Sequence, residues 1–303
     1  MKNKKLIYIV LFLTVLIDAI GDGLIVPLVP FYGLKFEASP STIALLFSVY
    51  SLSQLITTPF WGTMSDRFGR RPMLLLSLIG SGLAYLWLSQ ATALWMLFVC
   101  RMLEGTMAVS FLLATIYISD ITTNENRTKS MGIIGAASGL GCLIGPGLSS
   151  ALVGSDPNNP NFMLPCLIAA CMALLGFLIA WLTLPESKPT ESQPKRQSPK
   201  PSFNWSTLPE LVQPPPIHLL LLSAFLIRFS LMGVFTILPL WIQQEINWGP
   251  QQIGYVYVLW GMLCVTVQSA VVGPLSHRYG EANLLFWGSI LTAFGLFIMP
   301  FST

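Results

Sequence analysis

Residues 6–32 read LIYIVLFLTVLIDAIGDGLIVPLVPFY, a run whose only charged members are Asp18 and Asp22. A bilayer core takes roughly 20 mainly apolar residues per helical crossing, so this stretch is long enough to span one. The basic start, Met1-Lys2-Asn3-Lys4-Lys5, invites a reading as a secretory leader. The run is too long for that, contains Pro27 and Pro30, and lacks a small-residue cleavage site; it reads as a first membrane helix.

Working outward, the same signal returns at 42–64, 72–91, 93–119, 131–153, 162–184, 217–243, 250–275 and 283–301. The nine spans leave no room for a sizeable soluble domain. Composition agrees, with 53% apolar residues and 10% charged, against about 25% charged in a soluble domain. That balance excludes both an ordinary soluble enzyme and a disordered chain. A backbone in lipid satisfies its own hydrogen bonds, so the predicted fold class is an all-α membrane bundle; the short alternating segments of a transmembrane barrel are not seen. The net charge of +3 is too mild for a nucleic-acid surface.

Alternate loops differ sharply in Lys and Arg content. One face takes Lys2, Lys4, Lys5, Arg67, Arg70, Arg71, Arg127, Lys129, Lys188, Lys195, Arg196, Lys200 and Arg278, and the other only Lys35. Positive residues stay inside, which predicts a multi-pass cell-membrane protein with a cytoplasmic N-terminus. All five cysteines lie within spans and none has metal-ligand spacing, so neither a metal nor a cofactor is expected.

Residues 185–216 break the pattern. Nine of these 32 residues are Pro, interleaved with Lys, Arg, Ser and Glu, a composition that reads as a cytoplasmic linker. It divides a six-helix unit, 1–184, from a three-helix unit, 217–303. The second unit repeats the first. Leu16-Ile17-Asp18 and Gly23 correspond to Leu226-Ile227-Arg228 and Gly233, and Pro30 answers to Pro239. Gly62-x-x-Ser65-Asp66-Arg67-Phe68-Gly69 corresponds to Gly273-x-x-Ser276-His277-Arg278-Tyr279-Gly280. Repeats of this kind are common in secondary transporters, whose substrate sites lie at the midplane between halves. Three spans against six, with a stop at Phe301-Ser302-Thr303, predict a truncated or incomplete second bundle.

Four motifs resemble the major facilitator superfamily, and within it the drug:proton antiporters, bacterial tetracycline exporters above all. They are Gly62-Thr63-Met64-Ser65-Asp66-Arg67-Phe68-Gly69-Arg70-Arg71-Pro72, Arg101-Met102-Leu103-Glu104-Gly105, the series Gly132, Gly141, Gly145-Pro146, and Asp18-Ala19-Ile20-Gly21-Asp22-Gly23-Leu24 running to Pro27 and Pro30. Exporters of that type carry an acid where Ala84 stands, a His near Cys264 and an Asp near Thr292; the antiporter motif closes on two glycines where this chain has Ser149-Ser150. The resemblance implies a monomeric, proton-coupled efflux transporter of a bacterial inner membrane, moving a small amphipathic compound. A nutrient symporter or facilitator on the same fold is the rival, and a non-transporting remnant the second. An enzyme is not expected, because no nucleophile–base constellation is visible around His218 or His277.

Charges at bilayer depth cost about 2.5–3.5 kcal/mol each and need a reason. Asp18 and Asp22 lie one turn apart on one face, which suits a proton or cation site; mere hydration of Asp22 near the outer water is the plainer reading. Arg101 and Glu104, three apart, can pair for stability alone, or Arg101 can exchange partners between Glu104 and Asp18. In the 62–72 loop, Gly62 and Gly69 allow a tight turn, and Asp66 and Arg70 form a charge latch that reaches Asp120. Arg67, Arg70 and Arg71 equally serve to hold the loop inside. Gly132, Gly141, Gly145 and Pro146 provide close packing and a kink, or a route between states.

Overall fold

The computed structural model of the chain describes residues 4–154, 160–187, 215–267, 271, 275 and 278–298. Every regular element among them is built on helix. In chain order these are α1 (Lys4–Ile25), α2 (Val29–Lys35), α3 (Pro40–Phe68), α4 (Arg70–Ser89), α5 (Leu94–Met107), α6 (Ser110–Ile121), α7 (Asn124–Leu152), α8 (Met163–Thr183), α9 (Pro215–Ile246), α10 (Pro250–Thr266) and α11 (Glu281–Ile298). Seven spans among the described residues are long and apolar enough to cross a membrane, and Asn283–Ile298 is a shorter apolar helix. The linker expected at 185–216 falls largely outside the described residues, as do Gly273, Ser276 and His277 of the repeat.

Two spans that read as continuous are broken. The first turns at Val26–Leu28, ahead of Pro30. There α2 lets Tyr32 donate its hydroxyl to the carbonyls of Leu88 and Ala91 at 3.2 and 3.0 Å, satisfying the end of α4. The fourth breaks at Ala108–Val109. Backbone freed at membrane depth must find partners within the protein, and α3 supplies them. Trp61 Nε1 donates to Thr106 O at 2.7 Å and Gln54 Nε2 to Ala108 O at 2.9 Å. Gln54 and Trp61 thus have a structural task that their sequence positions alone do not disclose.

Helices in lipid gain little from hydrophobicity and associate through close contact of small residues. Along α7, which packs on α1, a Cβ at Gly145 would lie 2.6 Å from Gly23 Cα, and one at Gly141 would overlap Ala19. Gly132, Gly135 and Gly139 face open space instead. The span-five glycines therefore divide into a packed set, Gly141 and Gly145 against α1 and Gly147 against Val258, and an unpacked stretch.

The first six spans bury two apolar layers. One, towards the face carrying the N-terminus, holds Leu11, Trp61, Leu74, Leu78, Leu113 and Tyr117. The other, towards the opposite face, holds Leu24, Leu28, Tyr32, Leu88, Leu97 and Cys166, and is joined there by Ile242, Ile253 and Tyr257 of α9 and α10. The two units meet at that far face, where α10 lies along α7 and α9 touches α2 and α3. A Cβ at Gly254 would be 2.9 Å from Pro146 O and would overlap Ser150, so the glycine of α10 makes room for a serine of α7.

Candidate functional site

Between the two apolar layers lies a polar cluster fed by α1, α3, α4, α5 and α6. Asp22 Oδ1 accepts a hydrogen bond from the Tyr85 hydroxyl at 2.5 Å. Arg101 and Glu104, 3% and 2% exposed, form an ion pair across one helical turn. The Arg101 guanidinium lies 4.2 Å from the centre of the Tyr50 ring and 5.7 Å from that of Phe47. Gly105 makes the first of these contacts available, because a side chain there would run into the Tyr50 carbonyl. The charge of Arg101 also acts on Asp22, so one cation serves two acids.

Asp18 stands one turn below Asp22 and close to Ser110, whose hydroxyl is 3.3 Å from that of Ser77. Ser110 is the first residue of α6. The break in span four therefore turns a helix N-terminus, with its unpaired N–H groups and partial positive charge, towards Asp18. Discontinuous helices whose ends point at charged groups are a recurrent device of transporter sites. Arg101 Nε and Glu104 Oε1 are buried with no hydrogen-bond partner among the described residues. A small cavity, with room for about one water molecule, abuts Arg101 between Ile25, Leu28, Tyr32, Leu88, Leu97 and Cys166.

The structure brings Asp18, Asp22, Arg101 and Glu104 into one site. Reading the sequence alone misses Tyr85, Tyr50 and Ser110. A phenol at bilayer depth needs a partner, and that was the available signal for the two tyrosines. Ser110 carries no such signal, because its role comes from the helix break.

The second charged group lies at the face where α1 begins. Arg70 contacts Asp66 Oδ1 at 2.5 Å, Asp120 Oδ2 at 2.9 Å and Ser65 Oγ at 2.6 Å, tying the α3–α4 turn to the end of α6. Gly69 has φ of +101°, and a Cβ on it would meet the Glu186 carboxylate at 2.8 Å. Glu186 Oε1 in turn accepts from the backbone N–H of Arg70 at 2.8 Å and of Arg71 at 3.4 Å, capping α4 from the end of the sixth span. Arg67 is exposed over Phe68 and joins none of these bonds, and Gly62 has open space around it. In the repeat, Arg278 lies over Tyr279 at 5.4 Å and Gly280 has φ of +80°, close to the 5.3 Å and +101° of Arg67–Phe68–Gly69. Glu186 was not foreseen. Removing a helix-capping acceptor costs about 1 kcal/mol, so Glu186→Ala is expected to lower stability by that amount in detergent unfolding, while Gly69→Ala, which strains the turn and crowds the cap, lowers it further.

A model of the Major Facilitator Superfamily matches residues 11–303. Tetracycline resistance protein class B of Escherichia coli is 34% identical over 91% of this chain and 68% of its own length. Class C from the same organism is 29% identical over 100% and 75%. Multidrug resistance protein 2 of Bacillus subtilis (strain 168) is 28% identical over 93% and 70%. Among solved structures, a bacterial homologue of the human lysosomal transporter Spinster superposes with a TM-score of 0.75 at 18% identity, over 91% of this chain and 64% of the other.

Proposed function

This chain belongs to the Major Facilitator Superfamily of membrane transporters, and from that premise we propose that it exports a small amphipathic compound in exchange for protons. The observation that carries the proposal is the mid-depth cluster of Asp18, Asp22 and Glu104 around the single cation Arg101. Three acids and one base at bilayer depth are costly if all stay charged. Proton binding relieves that cost, and so does a cationic group of a substrate; one site that takes either in turn is an exchanger. The tetracycline and multidrug resistance proteins among its relatives support export. Ala84 in place of an acid leaves tetracycline itself without its expected contact.

In this reading the N-terminus is cytoplasmic, the first six spans form one rocking unit, and the linker joins it to the second. The Asp66–Arg70–Asp120 network belongs to the cytoplasmic face and holds the first unit's inner end in one shape while the units tilt. The test is efflux from proteoliposomes under an imposed pH gradient, read with a panel of amphipathic dyes. Efflux should rise with the gradient and fall when an ionophore collapses it. Transport indifferent to the gradient removes the coupling, and uptake driven down the gradient makes the protein a symporter.

A further inference from the structure

Arg228 is a second cation at membrane depth, and the cluster above does not use it. It stands in α9 where the repeat places Asp18 in α1, and both residues lie about 20 Å along their helices from the same face. A helix of 3.6 residues per turn puts Arg228, Phe235, Pro239 and Ile242 on one side of α9. Towards the far face that side is packed: Ile242 is in the shared core, Phe235 packs against it and Pro239 is buried. Arg228 lies about 10 Å nearer the face where the chain begins, on the same stripe, and is exposed. The stripe that meets the first unit at its upper end therefore carries Arg228 on the same side lower down. Cys142, exposed on α7, is near enough for the charges of both Asp22 and Arg228 to reach it.

We propose that Arg228 and the Asp18–Asp22 pair are the two ends of one substrate site spanning the gap between the units, and that it takes a zwitterionic amphipathic compound. The amine end lies against the acids of α1, near the rings of Tyr50 and Tyr85. The acidic end pairs with the guanidinium of α9, which offers a planar fork of N–H donors suited to a carboxylate or a similar anion. A purely cationic substrate would leave Arg228 repelling it across the gap. A purely anionic one would face Asp18 and Asp22. This assignment deepens the export reading and rests on it.

The test uses Cys142, which the charges at both ends reach. The full chain in native membrane vesicles is treated with an anionic and a cationic methanethiosulfonate of matched size, and modification of the Cys142 peptide is followed by mass spectrometry. Arg228→Gln is expected to lower the anionic-to-cationic rate ratio about tenfold, while Arg228→Lys keeps it near that of the unaltered chain. A ratio that Arg228→Gln leaves unmoved overturns the placement. A second arm adds norfloxacin, a zwitterion, or its methyl ester during labelling. Norfloxacin should slow modification of Cys142 several-fold more than the ester, and Arg228→Gln should erase the difference. Equal protection by the two, or protection by neither, overturns the two-ended site. Failure here with gradient-driven efflux intact leaves export standing. Loss of gradient dependence in the unaltered chain, with the Cys142 ratios as expected, removes proton exchange and leaves the site.

Discussion

Asp18→Asn is expected to uncouple export from the proton gradient. One pH unit is worth 1.36 kcal/mol per proton, a factor of about ten, so an exchanger moving one proton per cycle sustains roughly a tenfold substrate gradient for each unit. In the variant that gradient should fall to unity. Asparagine keeps the size of the side chain and a polar oxygen near Ser110 at the start of α6, so the first unit should fold as before. What it loses is the ability to carry and release a proton. Equilibrium exchange of labelled for unlabelled substrate, which needs no net proton movement, should persist; that separates lost coupling from lost binding. Asp22→Asn should act less completely, because Tyr85 can still donate to the amide oxygen. If Asp18→Asn maintains a tenfold gradient per pH unit, Asp18 does not carry the proton.

Much of this site was legible before any coordinates. Asp18 and Asp22 are conspicuous because lipid-depth acids are costly, and their four-residue spacing fixes a common face. The three-residue spacing of Arg101 and Glu104 likewise predicts their pairing. The break in span one has a signal in Pro27 and Pro30, but the break in span four was not legible. Residues 93–119 carry Arg101 and Glu104 but no Pro, and the interruption at Ala108–Val109 is sustained by Gln54 and Trp61 of another helix. Hydropathy cannot register a break whose cost is met by tertiary hydrogen bonds. Glu186 escaped notice for a similar reason: its partners, the backbone N–H groups of Arg70 and Arg71, are more than a hundred residues away and carry no side-chain signature. Arg228 was visible as a charge in a span, yet its direction emerges only once Phe235, Pro239 and Ile242 show which side of α9 meets the other unit.

Arg101→Leu is expected to destabilise the first unit by about 3–5 kcal/mol, the usual cost of leaving one member of a buried ion pair alone. Glu104→Leu should cost a similar amount, since Arg101 would keep the Tyr50 and Phe47 rings and the field of Asp22 but lose its one direct carboxylate. The double variant should recover a large part of the loss, because apolar residues of similar volume often replace a buried pair without penalty. Equilibrium unfolding in mixed micelles would read the three values, and their non-additivity gives the coupling energy. Stability alone does not decide what the pair is for. If Arg101 only neutralises Glu104, the double variant should both fold and sustain the proton-driven substrate gradient. The arrangement points the other way. Arg101 acts on Asp22 as well as on Glu104, and each member of the pair keeps a buried polar atom without a partner among the described residues, Nε on one and Oε1 on the other. Those spare positions suit an arginine that changes partner as protons load. The double variant should therefore be stable and unable to couple, and a stable double variant with full coupling would reduce the pair to scaffolding.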